Sequence, residues 1–131
     1  MLPLHPSPEV RAEASAALGG SGVIVVPPLS VLAFHNLLSR SYLALTDSGG
    51  VQEEAAALGI PVLVCRDTTE RGEGIEVGCA ELVGTREADV VSAFDRIYND
   101  KEKYRKMASA ENPYGTGSPS RAIADILMKG T

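Results

Sequence analysis

The chain has 131 residues, 44% of them hydrophobic and 22% charged, the composition of an ordinary globular domain long enough to bury a core. A net charge of −5 and a pI near 5.0 exclude the broad basic face that a nucleic-acid backbone selects, but leave room for a local basic patch around a small phosphorylated ligand. No apolar run nears the length of a membrane span and no charged-then-apolar leader is present, so we expect a cytoplasmic protein without membrane contact. Cys65 and Cys79 form neither a CxxC pair nor a zinc pattern; the expectation is two buried thiols in a reducing compartment, with no metal.

In chain order, residues 1–8, with three prolines and an abrupt start Leu2-Pro3-Leu4-His5-Pro6, read as the tail of a strand running into a loop. Residues 9–18 are rich in alanine and charge, a helix stopped by Gly19-Gly20. The β-branched run 23–26, ended by Pro27-Pro28, predicts a buried strand. Ser30 can cap a helix whose apolar positions Val31, Phe34 and Leu38 share one face. A second strand over 42–46 leads into a small-residue turn and a helix to Leu58, closed by Gly59, and a third strand covers 62–65. Residues 66–78 are polar with no clear period, a loop of the length that is usually functional. A short strand over 80–83 precedes an amphipathic helix over 87–98 with Val90, Val91, Phe94, Ile97 and Tyr98 on one face. A basic helix over 101–108, a turn-rich loop over 112–117 and a helix over 118–128 burying Ile123, Ile126 and Leu127 complete the chain.

This β-α alternation with strands apolar throughout predicts an α/β fold: a Rossmann-like parallel sheet with helices on both faces, in one domain over 1–131. Ligands of such sheets bind beyond the carboxyl ends of the strands. Three features fall at that edge: the Pro27-Pro28-Leu29 turn, the 46–50 turn and the 66–74 loop. In Thr46-Asp47-Ser48-Gly49-Gly50-Val51-Gln52-Glu53-Glu54, a strand ends in a turn that opens a helix. The first N–H groups of a helix lack internal partners and face the positive end of its dipole, so an anion fits there. Gly49 and Gly50 permit close approach of a phosphate, Ser48 adds a hydroxyl, and Glu54 lies where a carboxylate can take bonds from sugar hydroxyls. The plainer alternative is that Asp47 or Ser48 only caps the helix.

The same stretch, followed by Gly59-Ile60-Pro61-Val62-Leu63-Val64, Arg66-Asp67-Thr68-Thr69-Glu70-Arg71 and Asn112-Pro113-Tyr114-Gly115, resembles the UDP-N-acetylglucosamine 2-epimerase family. His5-Pro6-Ser7-Pro8, Pro28-Leu29 and Phe34 extend the resemblance over nearly the whole chain. It implies the C-terminal domain of a GT-B fold, with the N-terminal half of the enzyme absent. By resemblance, Ser48, Gly49 and Gly50 hold the diphosphate, Glu54 grips the ribose, Phe34 and the backbone at Leu29 meet the uracil, and Arg71 stabilises charge on departing UDP. By periodicity alone Phe34 reads as core. The implied partners are UDP or UDP-N-acetylglucosamine and a missing half that carries the acid–base residues; no cofactor is implied. The family reaction inverts C2 by eliminating UDP and adding it back, so the isolated chain is expected to bind but not to turn over.

His5 matches a histidine near a second, regulatory nucleotide-sugar site, or is simply a loop histidine before proline; His35 is read as non-functional. Gly72, Ala56, Thr116 and Ser7 depart from the family pattern, and Gly72 implies a looser Arg71 loop. The apolar surface left by a missing half implies self-association into a homo-oligomer. A free-standing nucleotide-sugar-binding module, half of a hydrolysing epimerase and half of another GT-B enzyme stay open as alternatives.

Overall fold

In the computed structural model, which describes residues 1–129, every paired strand runs parallel to its neighbour. The chain divides into two compact units, Met1–Leu37 and the described residues from Leu38 onward. In the first, β1 (Leu2–Pro3) pairs with β2 (Val25–Val26) across α1 (Pro8–Leu18), which starts on a proline whose missing N–H costs nothing at that position. The expected buried strand over 23–26 is shorter and more exposed than its sequence implies. Only its last two residues join the ladder, and Val23, Ile24 and Val25 are 43%, 61% and 45% exposed. In α2 (Val31–Leu38) the Ser30 hydroxyl accepts from the Ala33 amide at 3.4 Å, the expected cap. Leu38 is buried and Phe34 half-buried, but Val31 faces solvent.

The second unit holds β3 (Ala44–Thr46), β4 (Val62–Val64) and β5 (Ala80–Leu82) in that order, with Ala44 opposite Val62 and Val62 opposite Ala80. The crossovers are α3 (Gly49–Ala57) and α4 (Gly72–Glu76); α5 (Glu87–Asn99), α6 (Lys101–Ala108) and α7 (Pro119–Lys129) follow. Val62, Leu63 and Val64 are fully buried, as a central parallel strand requires. Successive side chains point to opposite faces, so Leu63 packs toward Ala93 and Ile97 of α5 and Met107 of α6, while Val62 and Val64 turn to the other face. There α3, with Ala55 and Ala56 buried, contacts β3 and β4. Gly59 ends α3 with φ +67°, a left-handed conformation that a side chain would strain.

On the far side, Glu81 of β5 pairs with both Arg96 of α5 and Lys103 of α6 (2.7 Å for the lysine), and Tyr104 stacks on Tyr42 with ring centres 4.0 Å apart. Three expectations change. Residues 66–78 contain a short helix, α4, held by its packing against β5, with Gly74 buried. Val91 and Tyr98 on α5 are 52% and 60% exposed, so its buried stripe is narrower, centred on Ala93 and Ile97. In α7, Ile123, Ile126 and Leu127 are 57–69% exposed, and no residue of this helix is buried.

Cys79 is buried as expected, whereas Cys65 is only half-buried, at the end of β4 where the strand leaves the core. Burial pushes both thiols above their ordinary 9.0, aided at Cys65 by the nearby Asp47 carboxylate. Burial likewise raises the phenols of Tyr104 and Tyr114 above 10.0. A raised acid favours the folded state while it stays protonated: its contribution is complete below the unfolded value and disappears as pH climbs through the folded one. Denaturant midpoints are therefore expected to hold level from pH 7 to about 8 and then to fall progressively across pH 9 to 11.

Candidate functional site

At the carboxyl end of β3 the backbone turns through Asp47 and Ser48 into α3. The Ser48 amide is held by the Thr46 hydroxyl at 3.0 Å, and Ser48 occupies the N-cap with extended φ and ψ (−86°, 128°). Its side chain makes no capping bond. A simple cap would turn that hydroxyl onto the amide of Gly50 or Val51. Instead the first-turn amides of Gly49, Gly50 and Val51 have no acceptor within the helix or from the cap residue, and Ser48 and Gly50 are exposed.

Arg71, from the loop after β4, reaches this turn. Its Nε donates to Glu53 and its Nη1 lies 3.7 Å from Glu70 Oε1. A methyl group built on Gly49 would sit 3.6 Å from the Arg71 guanidinium carbon and 2.8 Å from Glu70 Oε1, so glycine is what allows these groups to close over the helix end. The hydrogen bond that Arg71 donates to Glu53, together with the Glu53 charge, pushes the Arg71 pKa further up, so the cation is fixed. Glu70 bonds its own backbone amide and pairs with Arg66 at 2.9 Å, which holds its carboxyl below the ordinary range. The turn thus brings amides, a hydroxyl and a permanent cation together, with the Glu53 and Glu70 carboxylates beside them. By contrast, a surface depression along α5 is lined by Glu87, Ala88, Val91, Ser92 and Asp95, two carboxylates with no cation among them to offset their repulsion of a phosphate.

What holds this arrangement is Gln52, the one buried polar side chain among the described residues, 1% exposed. Its Nε2 donates to the Ser48 carbonyl at 3.3 Å and its Oε1 accepts from the Thr69 hydroxyl at 3.0 Å. The Thr69 oxygen in turn accepts from the Arg71 amide at 3.1 Å. One side chain therefore ties the turn before α3 to the loop that carries Arg71. Sequence reasoning passed over Gln52 and Thr69. The available signal was spacing: Gln52, Ala55 and Ala56 share the inward face of α3, and a glutamine on such a face must find internal partners.

Residues 1–128 match the family model described as UDP-N-acetylglucosamine 2-epimerase. The chain belongs to that family. It is 48% identical over 129 residues to the UDP-N-acetylglucosamine 2-epimerase of Bacillus subtilis and 44% identical over 128 residues to that of Escherichia coli K12. These alignments take in 98% and 97% of the chain but only 34% of each relative, so the chain spans about a third of their length. Among solved structures, the Neisseria meningitidis epimerase bound to UDP-GlcNAc superposes with TM-score 0.90 at 44% identity, over 97% of this chain and 34% of that one. The S. aureus MnaA–UDP co-structure gives TM-score 0.89 at 42% identity, over 95% and 34%. The α/β architecture with parallel strands is therefore that of one part of the GT-B-like epimerases.

Of the residues that the family resemblance singles out, Ser48, Gly49, Gly50, Glu54 and Arg71 belong to the second unit. Glu54, half-buried, lies one helical turn beyond Gly50 on the same face of α3. Leu29, Phe34 and His5 belong to the first unit. Leu29 is half-buried in the turn after β2, and the half-buried Phe34 ring lies 6.5 Å from that of His35. His5 is exposed, its Nδ1 accepting from the Ser7 amide at 3.3 Å. Among the described residues no helix is long and apolar enough to cross a membrane, and no group of His, Cys, Asp and Glu could hold a metal ion.

Proposed function

We propose that the 48–50 turn, Arg71 and Glu54 form the UDP-holding part of a UDP-N-acetylglucosamine 2-epimerase. The observation that carries this reading is the N-terminus of α3, which the side chain of its cap residue leaves open, with the Arg71 guanidinium beside Gly49 and next to it the exposed Glu70 carboxylate, which an incoming diphosphate would displace. A diphosphate there accepts bonds from the Gly49 and Gly50 amides and the Ser48 hydroxyl, while Glu54 accepts from the ribose hydroxyls. For Leu29, Phe34 and His5, all in the first unit, the uracil-binding and regulatory roles are those that the family resemblance implies. The relatives solved with UDP and with UDP-GlcNAc support the choice of ligand.

Inversion at C2 requires the C2 proton to leave and return on the opposite face. In the proposed reaction that loss expels UDP from C1, and UDP returns to C1 as the proton is restored. Negative charge builds on the departing β-phosphate, where preorganised donors lower the barrier. The proton-transfer carboxylates belong to the remaining two-thirds of the family's length, and a cytoplasmic enzyme working as a homo-oligomer completes the reading. Calorimetric titration with UDP tests it. The chain is expected to bind UDP, to bind more weakly by about tenfold as Glu54→Ala, in keeping with loss of charged hydrogen bonds, and to show no epimerisation by itself. Equal affinity of wild type, Glu54→Ala and Arg71→Ala would place the ligand elsewhere, and turnover by the isolated chain would contradict the assignment of proton transfer.

A further inference from the structure

The loop Asn112-Pro113-Tyr114-Gly115 has no part in the site just described, yet its geometry is specified closely. Asn112 Oδ1 accepts from the Tyr114 amide at 3.1 Å, and Asn112 Nδ2 donates to the Gly115 carbonyl at 3.0 Å. Gly115 supplies a φ of +97°, which a side chain would strain, and Pro113 removes a further degree of freedom. A turn closed on itself in this way presents the Tyr114 ring in one direction, toward α4.

The ring enters a notch made by the absence of a side chain at Gly74. A methyl group there would collide with the Tyr114 hydroxyl, and would sit 3.4 Å from both the Tyr114 Cζ and the Cys79 sulfur. Gly74 is itself buried, and the Cys79 thiol donates to its carbonyl at 3.4 Å, which closes the notch from below. From this seat the Tyr114 hydroxyl reaches the Arg71 carbonyl at 3.4 Å. That contact is too long to be a strong hydrogen bond, so the ring's fit in the notch carries most of the constraint.

Arg71 is the N-cap residue of α4. Its amide is tied to Gln52 through Thr69, and its carbonyl faces Tyr114. Both backbone ends of this residue are thus fixed from different parts of the chain, one from α3 and one from beyond α6. With the backbone held at both ends, the side chain is aimed at Glu53 and the start of α3 rather than into solvent. We infer that Tyr114 is a positioning residue: seated against Gly74, it holds Arg71 in register with the N-terminus of α3. This rests on the reading that Arg71 and the 48–50 turn hold a diphosphate.

The role gives Tyr114 a dependence on Arg71 that a residue serving only stability would lack. In the full chain, Tyr114→Ala is expected to weaken UDP binding about fivefold or more, and Tyr114→Phe, which keeps the ring, to stay within about twofold of wild type. In an Arg71→Ala background the Tyr114→Ala effect is expected to shrink to under about twofold, the non-additivity of coupled residues. Gly74→Ala, which fills the notch from the opposite side, should reproduce the Tyr114→Ala result without altering the 112–115 loop.

Amide hydrogen exchange without UDP gives the second readout. Tyr114→Ala and Gly74→Ala should accelerate exchange of the α4 amides while leaving those of β4 protected. Equal weakening by Tyr114→Ala in both backgrounds, or unchanged exchange in α4 in both variants, would overturn the inference. Should Arg71→Ala bind UDP as wild type does, the diphosphate reading falls, while the exchange result still decides whether Tyr114 fixes α4.

Discussion

Arg71→Ala is expected to weaken UDP binding by about ten- to a hundredfold, the effect of losing a charge-assisted contact to a phosphate at a partly exposed site. Two losses combine. The diphosphate loses its cation, and Glu53, now without its guanidinium partner, leaves an uncompensated carboxylate beside the anion. Arg71→Lys should recover only part of the affinity, because an ammonium group restores the charge but not the fork that spans Glu53 and a phosphate oxygen together. The fold should be nearly indifferent to either change, since the Arg71 and Glu53 side chains are 34% and 41% exposed and such pairs contribute little to stability. Calorimetry at fixed ionic strength, with a melting curve for each variant, separates the two effects.

Leu63→Ala is expected to have the opposite profile, destabilising the chain by about 3–5 kcal/mol, as large-to-small changes at rigid core sites do. Leu63 is fully buried in β4 and packs with Val83, Ala93, Ile97 and Met107, contributed by the β5 end, α5 and α6. Helices and strand cannot all move inward to fill the space, so a cavity remains. Folding free energies of domains this size are about 5–15 kcal/mol, so this one change takes a substantial share. Leu58→Ala, at a position 42% exposed, should cost under about 1 kcal/mol by comparison. Urea denaturation of the three proteins measures the difference, and equal midpoints for Leu63→Ala and wild type would show that β4 is not the centre of the core.

The strand-turn-helix through Ser48 was legible because its signal is local: an apolar run, small residues, then a helical period. The parallel order of β3, β4 and β5 was legible for a related reason, since apolar strands alternating with helices have few other solutions. Exposure was less legible. The run 23–26 and the stripe Ile123, Ile126 and Leu127 have the hydrophobicity of buried segments, yet burial depends on what lies opposite, which no local pattern specifies. Helix α4 escaped notice because Gly72 and Gly74 are poor helix formers, and it is packing against β5 and the Tyr114 ring that holds it.

Within the site, the residues that would touch a ligand were readable and those that hold them were not. Ser48, Gly49 and Gly50 announce themselves by type, and Arg71 by resemblance to a family motif. Gln52, Thr69 and Tyr114 act across 17 and 43 residues of sequence, through bonds that exist only once the chain has folded. Between the two readings of Ser48, cap or free hydroxyl, the sequence left the choice open, and only the fold decides it. The residue type that caps helices stands at the cap position here but does not perform the bond.

An anion site at the start of α3 is tested most directly by an amide chemical-shift titration of the chain with UDP. Shifts that saturate together at Gly49, Gly50, Val51 and Arg71 are predicted at up to about millimolar UDP, where a site worth about −4 kcal/mol is half filled, with uridine leaving these four amides nearly unmoved. Saturating shifts confined to other parts of the chain, or equal responses of these amides to uridine and UDP, would contradict it.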